Sequence, residues 1–389
     1  MARILVSTSW LMATGAVVPV YAGAWTAAGR TQLSTSYDDN VLLTPETHIG
    51  GWYSAADLSA QLQFEADQVV FRADPRLLAT RYQSETNLNR TERYLTLFGQ
   101  FTSELAINSL TLSAAQDTTL TSELGLTGFA AVNKKHRTSA ATFNTTHAFN
   151  EFVDGSLQLY ATTNRYLDAQ GTGLIDYNYG SALLNVNYKL TERSSFFLQT
   201  TAGKLQVPSQ ANTIAGLDYN KTNLAAVLGY SVMMSPRWKA TAYWGPSQVR
   251  TGYAVASGSD YSVSVTRKSE LMSLATSFTR DVTPSGYGLL SRRDQARLDW
   301  NQPLTERWAT NWSLISVRTR NVLTDGSLEL NSVNYRDLTG GVSWLYSPTW
   351  TVSLSAGFTR QQVQGLDVAA NRHHAALNIS WNGLARRLN

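Results

Sequence analysis

Five histidines, His48, His136, His147, His373 and His374, come first for any chemistry, because the chain has no cysteine. Without thiols there is no cysteine nucleophile, no thiolate-held zinc or iron–sulfur site and no disulfide. His48 and His136 fall in or beside segments that also carry Asp38, Asp39, Glu46 and Glu123. A His–carboxylate pair can bind a metal or move a proton, but no ligand spacing repeats here, so ordinary polar loop residues are the better reading. His373 and His374 are adjacent, which on a strand turns them to opposite faces and prevents joint chelation. His147 shares a face with Thr145, yet Thr142 to Thr146 is a Thr-rich strand without a nucleophile motif. Asp38-Asp39-Asn40 offers oxygens suited to calcium, but it lacks the spaced ligands and distal Glu of a calcium loop. A polar turn closed by its own Asp and Asn side chains is preferred. No catalytic residue, metal or cofactor is expected.

Arginine is more informative. Arg165, Arg250, Arg280, Arg297, Arg318, Arg320, Arg336 and Arg360 lie on or near extended segments, mostly toward one end of each. Read as facing inward, they present planar donors beside tyrosines, a surface for anionic or sugar-rich solutes. Two other uses stand beside that one. They are contact with lipopolysaccharide phosphates at an outer rim, and internal pairing with Asp281, Asp299 and Asp337.

These residues need a frame, and the pattern of the chain supplies one. Between Thr339 and Arg360, Val342, Trp344 and Tyr346 alternate with Gly341, Ser343 and, as an exception, Leu345, and Val352, Leu354, Ala356 and Phe358 alternate with small or polar residues. The two runs meet at Ser347-Pro348-Thr349-Trp350, an antiparallel hairpin with aromatics at its tight end. Most of the chain repeats this unit. Leu184, Val186, Tyr188 and Leu190 make one apolar face against Asn185, Asn187 and Lys189. Leu298 and Trp300 do so against Arg297, Asp299 and Asn301, and Ala375, Leu377, Ile379 and Trp381 against Asn378 and Ser380. Charged residues are only 15%, against about 25% in soluble domains, which suits a sheet with lipid on one face and water on the other.

Tight turns near Glu65–Asp67, Thr102–Leu105, Asn150–Asp154, Thr191–Arg193, Ser235–Arg237, Arg267–Ser269, Thr305–Arg307 and Ser347–Thr349 alternate with longer loops. The loops fall near Asp38–Gly50, Ser84–Thr91, Gln116–His136, Leu167–Asp176, Val207–Asp218, Gly252–Gly258, Asp281–Ser291, Val322–Ser332 and Val363–Asn371. Several turns are near copies: Leu190-Thr191-Glu192-Arg193, Met234-Ser235-Pro236-Arg237, Leu304-Thr305-Glu306-Arg307 and Tyr346-Ser347-Pro348-Thr349. Eight turns and nine loops separate 18 strands, with 16 the neighbouring even alternative. The expected fold is all-β, a transmembrane antiparallel up-and-down β-barrel. Its longest loop, Gln116–His136, is long enough to fold inward and narrow the pore. Pro75, inside the third strand, predicts a bulge or break there.

Arg3, the apolar stretch Ile4 to Val18 and the small-x-small site Val20-Tyr21-Ala22 read as a signal peptide, residues 1–22. Cleavage near Ala22 leaves residues 23–389 as one barrel domain, destined for the bacterial outer membrane. A formal charge of +4, evenly scattered, gives no footprint for nucleic acid. The expected surroundings are outer-membrane lipids and lipopolysaccharide, and the barrel-assembly machinery. That machinery would read Trp381 as an internal anchor; the preferred alternative for Asn382 to Asn389 is a solvated overhang.

Four stretches carry a resemblance. They are Tyr37-Asp38-Asp39-Asn40-Val41-Leu42-Leu43-Thr44-Pro45, Gln116-Asp117-Thr118-Thr119-Leu120-Thr121-Ser122-Glu123-Leu124, Thr172-Gly173-Leu174-Ile175-Asp176-Tyr177 and the Leu-Thr-Glu-Arg turns. In this order they resemble proteobacterial outer-membrane β-barrel porins associated with exopolysaccharide export loci. The resemblance implies a conduit for exopolysaccharide export working with a periplasmic export apparatus. It also marks Asp38, Asp39, Asn40, Asp117, Thr118, Ser122 and Glu123 as motif loop residues. After Leu124 the chain departs from that pattern, with Gly125-Leu126-Thr127-Gly128 where an acidic pair precedes Thr-Gly. The residues by themselves leave two other roles open: a general porin for small anionic or sugar solutes, and a non-conducting barrel that anchors surface polymer or partner proteins.

Overall fold

The computed structural model describes residues 23–46, 48–127, 132–208, 220–251, 254–322, 332–363 and 369–388. The predicted signal peptide lies outside the described residues. The first six strands are β1 (Ala24–Asp38), β2 (Gly51–Glu65), β3 (Val69–Tyr82), β4 (Arg90–Thr102), β5 (Ala106–Thr118) and β6 (Lys135–Ala148). Between β5 and β6 lies α1 (Thr119–Thr127). The next six are β7 (Val153–Tyr166), β8 (Tyr177–Thr191), β9 (Ser194–Gln206), β10 (Lys221–Ser235), β11 (Trp238–Arg250) and β12 (Val255–Ser269). The last are β13 (Met272–Pro284), β14 (Leu290–Pro303), β15 (Trp308–Asn321), β16 (Val333–Ser347), β17 (Trp350–Val363) and β18 (Ala370–Asn382), followed by the short β19 (Arg386–Leu388).

Each strand pairs antiparallel with its sequence neighbours, and β1 closes on β18 from Arg30↔Asn382 to Asp38↔His374. The fold is a closed 18-stranded up-and-down barrel, with β1 starting and β18 ending at the short-turn rim. Closure leaves no unpaired strand edge, which a lipid environment requires. Beyond Asn382 the chain is not a solvated overhang. Arg386 to Leu388 pair with Trp25 to Ala27, and Gly383 N–H donates to Gly29 O at 2.7 Å. The start of β1 runs past the end of β18 and would otherwise leave its donors and acceptors bare on that side, so the tail supplies a nineteenth short strand.

The four look-alike turns share one physical device. Thr191, Ser235, Thr305 and Ser347 each accept on the side-chain oxygen the N–H two residues on, at 3.2, 3.3, 3.3 and 3.4 Å. Three of these hairpins also skip one residue in the ladder, between Lys189 and Thr191, Met233 and Ser235, and Leu345 and Ser347. The skipped Leu190, Met234 and Tyr346 are left exposed outside the turn. At Pro75, β3 stays paired with β4, but its ladder with β2 breaks between Ser59↔Arg76 and Leu62↔Ala73 and resumes in the same register. The missing N–H removes the bond without shifting the sheet. The loop expected at Gly252–Gly258 is shorter, because Val255 already pairs with Arg250.

Through the middle of the wall the apolar parity faces out. Leu184, Val186, Tyr188 and Leu190 are exposed, as are Leu314, Leu338, Leu354 and Leu377 on neighbouring strands. Such a belt is expensive in water and at home in hydrocarbon. Strands of 13 to 15 residues exceed the roughly 9–11 needed to cross the apolar layer, so a few residues of each stand beyond it. Fully buried side chains gather in the loop-end half of the lumen, in clusters around Leu205 and Leu290, around Leu124 and Val317, and around Val41 and Tyr82.

Candidate functional site

The described residues of the longest loop fold into the barrel. From Thr118 the chain leaves the wall as α1, whose Leu120 and Leu124 pack against Leu43, Val317, Tyr335 and Ala370. Those partners belong to the β1–β2 loop, β15, β16 and β18, so the segment reaches nearly across the ring from its origin on β5. The two sequence motifs, Asp38–Asn40 and Asp117–Glu123, are thereby brought to one place, joined through Leu43 and Leu124.

Glu123 is the polar centre of the constriction and is 2% exposed. Its carboxylate accepts from the Tyr166 hydroxyl and from Gly286 N–H at 3.3 Å. Gly286 belongs to the β13–β14 loop, and its carbonyl accepts Ile175 N–H from the β7–β8 loop at 2.8 Å. A Cβ at Gly286 would lie 2.5 Å from Tyr166 Oη and 2.8 Å from Glu123 Oε1, so only glycine permits this approach. Burial pushes the Glu123 carboxyl above its ordinary value, against the pull of the Tyr166 and Gly286 donors. Beside it, the His136 ring stacks on Tyr166 with centroids 4.8 Å apart. His136 Nδ1 lies 2.9 Å from Asp117 Oδ1 and its Nε2 lies 3.1 Å from Asn164 Oδ1. Thr121 Oγ1 donates to buried Glu92 at 2.6 Å, and Ser122 Oγ donates to Thr118 O at 3.1 Å.

The motif in the β1–β2 loop is a staple. Asn40, fully buried, donates through Nδ2 to Thr44 O at 2.8 Å and to Asn371 O at 3.0 Å, and accepts Thr44 N–H at 3.1 Å. Its own N–H donates to Asp38 Oδ1 at 3.0 Å, while Asp39 accepts from His373 N–H at 2.7 Å. This is the side-chain-closed turn expected from Asp and Asn. Among the described residues no group of three or more His, Asp or Glu is placed to hold a metal ion.

The register places seven of the eight arginines differently from the sequence-based expectation of an inward face. Arg297 faces the lumen and pairs with Asp299. Arg165, Arg250, Arg280, Arg318, Arg320, Arg336 and Arg360 share the outer parity of Leu159, Trp244, Phe278, Leu314, Leu338 and Phe358. The reason is an inversion of polarity along the wall. At mid-barrel Leu314 points to lipid and Ser313 to the lumen, whereas three residues higher Val317 packs inward on the α1 cluster and Arg318 points out. Tyr335 and Arg336, Tyr166 and Arg165, and Val249 and Arg250 repeat the swap. Where loops fill the lumen, apolar side chains belong inside; below them they belong outside.

Other arginines line the lumen and went unnoticed in the sequence. Arg76 binds Asp57 at 2.6 Å and lies over Tyr94, and Arg72 binds Asp74 at 2.7 Å and lies over Phe98. The signal was available, since Asp57, Asp74, Arg72 and Arg76 alternate with Leu58, Phe71 and Leu77. Gly286 also escaped notice, although Pro284-Ser285-Gly286-Tyr287-Gly288 is a dense turn signal. Thr145 and His147 take the outer parity of Phe143, away from the lumen.

No protein-family model matches the chain, and no curated protein matches it. Solved structures with a similar course include OccK3 (OpdO) of Pseudomonas aeruginosa. Its identity is 11% and its TM-score 0.49, over 92% of this chain and 96% of that one. The FrpB iron transporter of Neisseria meningitidis, F5-1 variant, is 9% identical with a TM-score of 0.49, over 91% of this chain and 81% of that one. A bacterial polysaccharide outer membrane secretin is 9% identical with a TM-score of 0.38, over 92% and 98%. At such identities and scores, nothing about solute or partner carries over to this chain.

Proposed function

We propose that the protein is an outer-membrane conduit for saccharides, closed toward its loop end by the docked β5–β6 segment, and that its role is exopolysaccharide export. The observation that carries the saccharide reading is the pairing of luminal charge. Arg76 with Asp57, Arg72 with Asp74, Arg293 with Asp281 and Arg297 with Asp299 leave a polar but locally neutral wall, interleaved with Tyr94 and Phe98. Hydroxyl-rich chains suit such a surface, with stacking on aromatic faces and exchangeable hydrogen bonds and no deep electrostatic trap. The export direction is supported by the four sequence stretches resembling barrels of exopolysaccharide loci, and would involve a periplasmic export apparatus.

Single-channel conductance of the refolded protein in planar bilayers tests this. The expected result is a small conductance with little ion preference, reversibly blocked by neutral or weakly charged polysaccharide. An open channel indifferent to polymer would instead make it a general porin. Absence of conductance from folded barrel, even after removal of α1, would make it an anchoring protein.

A further inference from the structure

We infer that the outward arginines at the loop end form a docking surface for the phosphates of a phosphorylated glycolipid of the outer leaflet. The densest part spans β13 to β17. Among the described residues, Arg280, Arg318, Arg320, Arg336 and Arg360 share one outer face with a single carboxylate, Asp294, which is already held by Arg280 and by Arg320 at 3.2 Å. Arg336 and Arg360 are direct cross-strand partners. Like charges in that position repel unless an anion lies between them. Among the described residues, no carboxylate lies in ion-pair contact with Arg318, Arg336 or Arg360. Guanidinium groups side by side match a phosphate, which accepts from several donors at once.

The occupant is a lipid because of what lies directly beneath. Two residues down each strand, on the same face, stand Phe278, Leu314 (four below Arg318), Leu338 and Phe358, all exposed. Below Asp294 an outer groove of about 450 Å³ is lined by Val263, Phe278, Ala296, Leu298 and Leu314. A headgroup phosphate at the arginines would set acyl chains along this apolar band. A soluble anion or a polysaccharide would use the charges and leave the groove bare. Strands longer than the hydrocarbon layer carry the arginines to headgroup height.

The test measures lipid bound to the detergent-solubilised full barrel by native mass spectrometry, with diphosphorylated lipid A, its dephosphorylated form and inorganic pyrophosphate as probes. Binding of the diphosphorylated lipid is expected, weakened at least about tenfold in Arg336→Ser/Arg360→Ser and unchanged in the luminal control Arg72→Ser, on β3 and outside the groove. Equal retention of the dephosphorylated lipid by the unaltered protein would overturn the assignment without reference to any variant. So would undiminished binding in the double variant, or pyrophosphate binding as tightly as the lipid. Heat-modifiable migration on gels checks that the variants fold, and none of these readouts depends on conductance.

Discussion

The two ends of the barrel wall solve the same problem with different chemistry. At the turn end the outer face ends in aromatics. Trp308 stacks across strands on Trp344 at 5.9 Å, Trp344 meets Tyr346 at 5.4 Å, and Trp25 packs on Phe64 at 5.2 Å. At the loop end the outer face ends in arginines. Inside, the contrast reverses: the turn end has a polar lumen and the loop end an apolar, packed one. Amphipathic rings suit a boundary between acyl chains and neutral or mobile headgroups, while fixed cations suit a leaflet rich in phosphate. The wall is thus oriented by its surface chemistry as well as by its loops.

The contrast breaks most severely if an arginine is moved down into the apolar band. Leu314→Arg, two periods of the alternation below Arg318, is expected to cost about 2–4 kcal/mol in denaturant titrations of the refolded barrel. If it is tolerated like Arg318, that height is not in hydrocarbon. Next in size, Gly286→Ala forces a Cβ against Tyr166 and Glu123, costing about 1–3 kcal/mol of loop docking. It should appear as larger and noisier single-channel conductance with little change in barrel melting. At the aromatic rim, Trp344→Ala removes one half of the stacked pair and should lower stability by about 1 kcal/mol, read from the urea midpoint.

Smaller still is a pH effect on the constriction. A buried carboxyl held above its ordinary value of 4.5 disfavours the docked state once it ionises. Docking is therefore strongest below that value and weakens as pH rises through the raised one, so conductance should increase with pH over that interval. Glu123→Gln, which keeps an acceptor for Tyr166 and cannot ionise, should flatten the profile. Asp117 and His136 remain the other titratable groups beside it, and an unchanged profile in the variant would assign the effect to them. Least of all, Arg297→Ser opens a solvent-exposed pair, changing stability by under about 0.5 kcal/mol while tilting ion selectivity toward cations in reversal-potential measurements.

The barrel itself was legible because its signals are local. Hydroxyl-closed turns at Thr191, Ser235, Thr305 and Ser347 punctuate the chain, and period-two alternation needs no knowledge of the neighbour strand. The inward course of the Gln116–His136 loop was legible from its length alone. The direction of the arginines was not. Read locally, Ser316-Val317-Arg318-Thr319-Arg320 has Val317 facing lipid and the arginines facing water inside, the same rule that holds for Leu314. Gly286 and Tyr166 were equally silent, since neither says in sequence that the other, and Glu123, will come within bonding reach.

Composition, strand count, the tight-turn rim and the two-faced wall were thus determined by the sequence alone, because each follows from backbone geometry and nearest neighbours. Which face of the upper wall meets solvent, which carboxylate becomes buried, and how the C-terminal residues complete β1 were decided only in the tertiary structure. There the loops from distant strands fill one end of the lumen. Filling it with Leu124, Val317, Tyr335 and Leu290 makes the inside the apolar side, and the alternating charges are left to face outward.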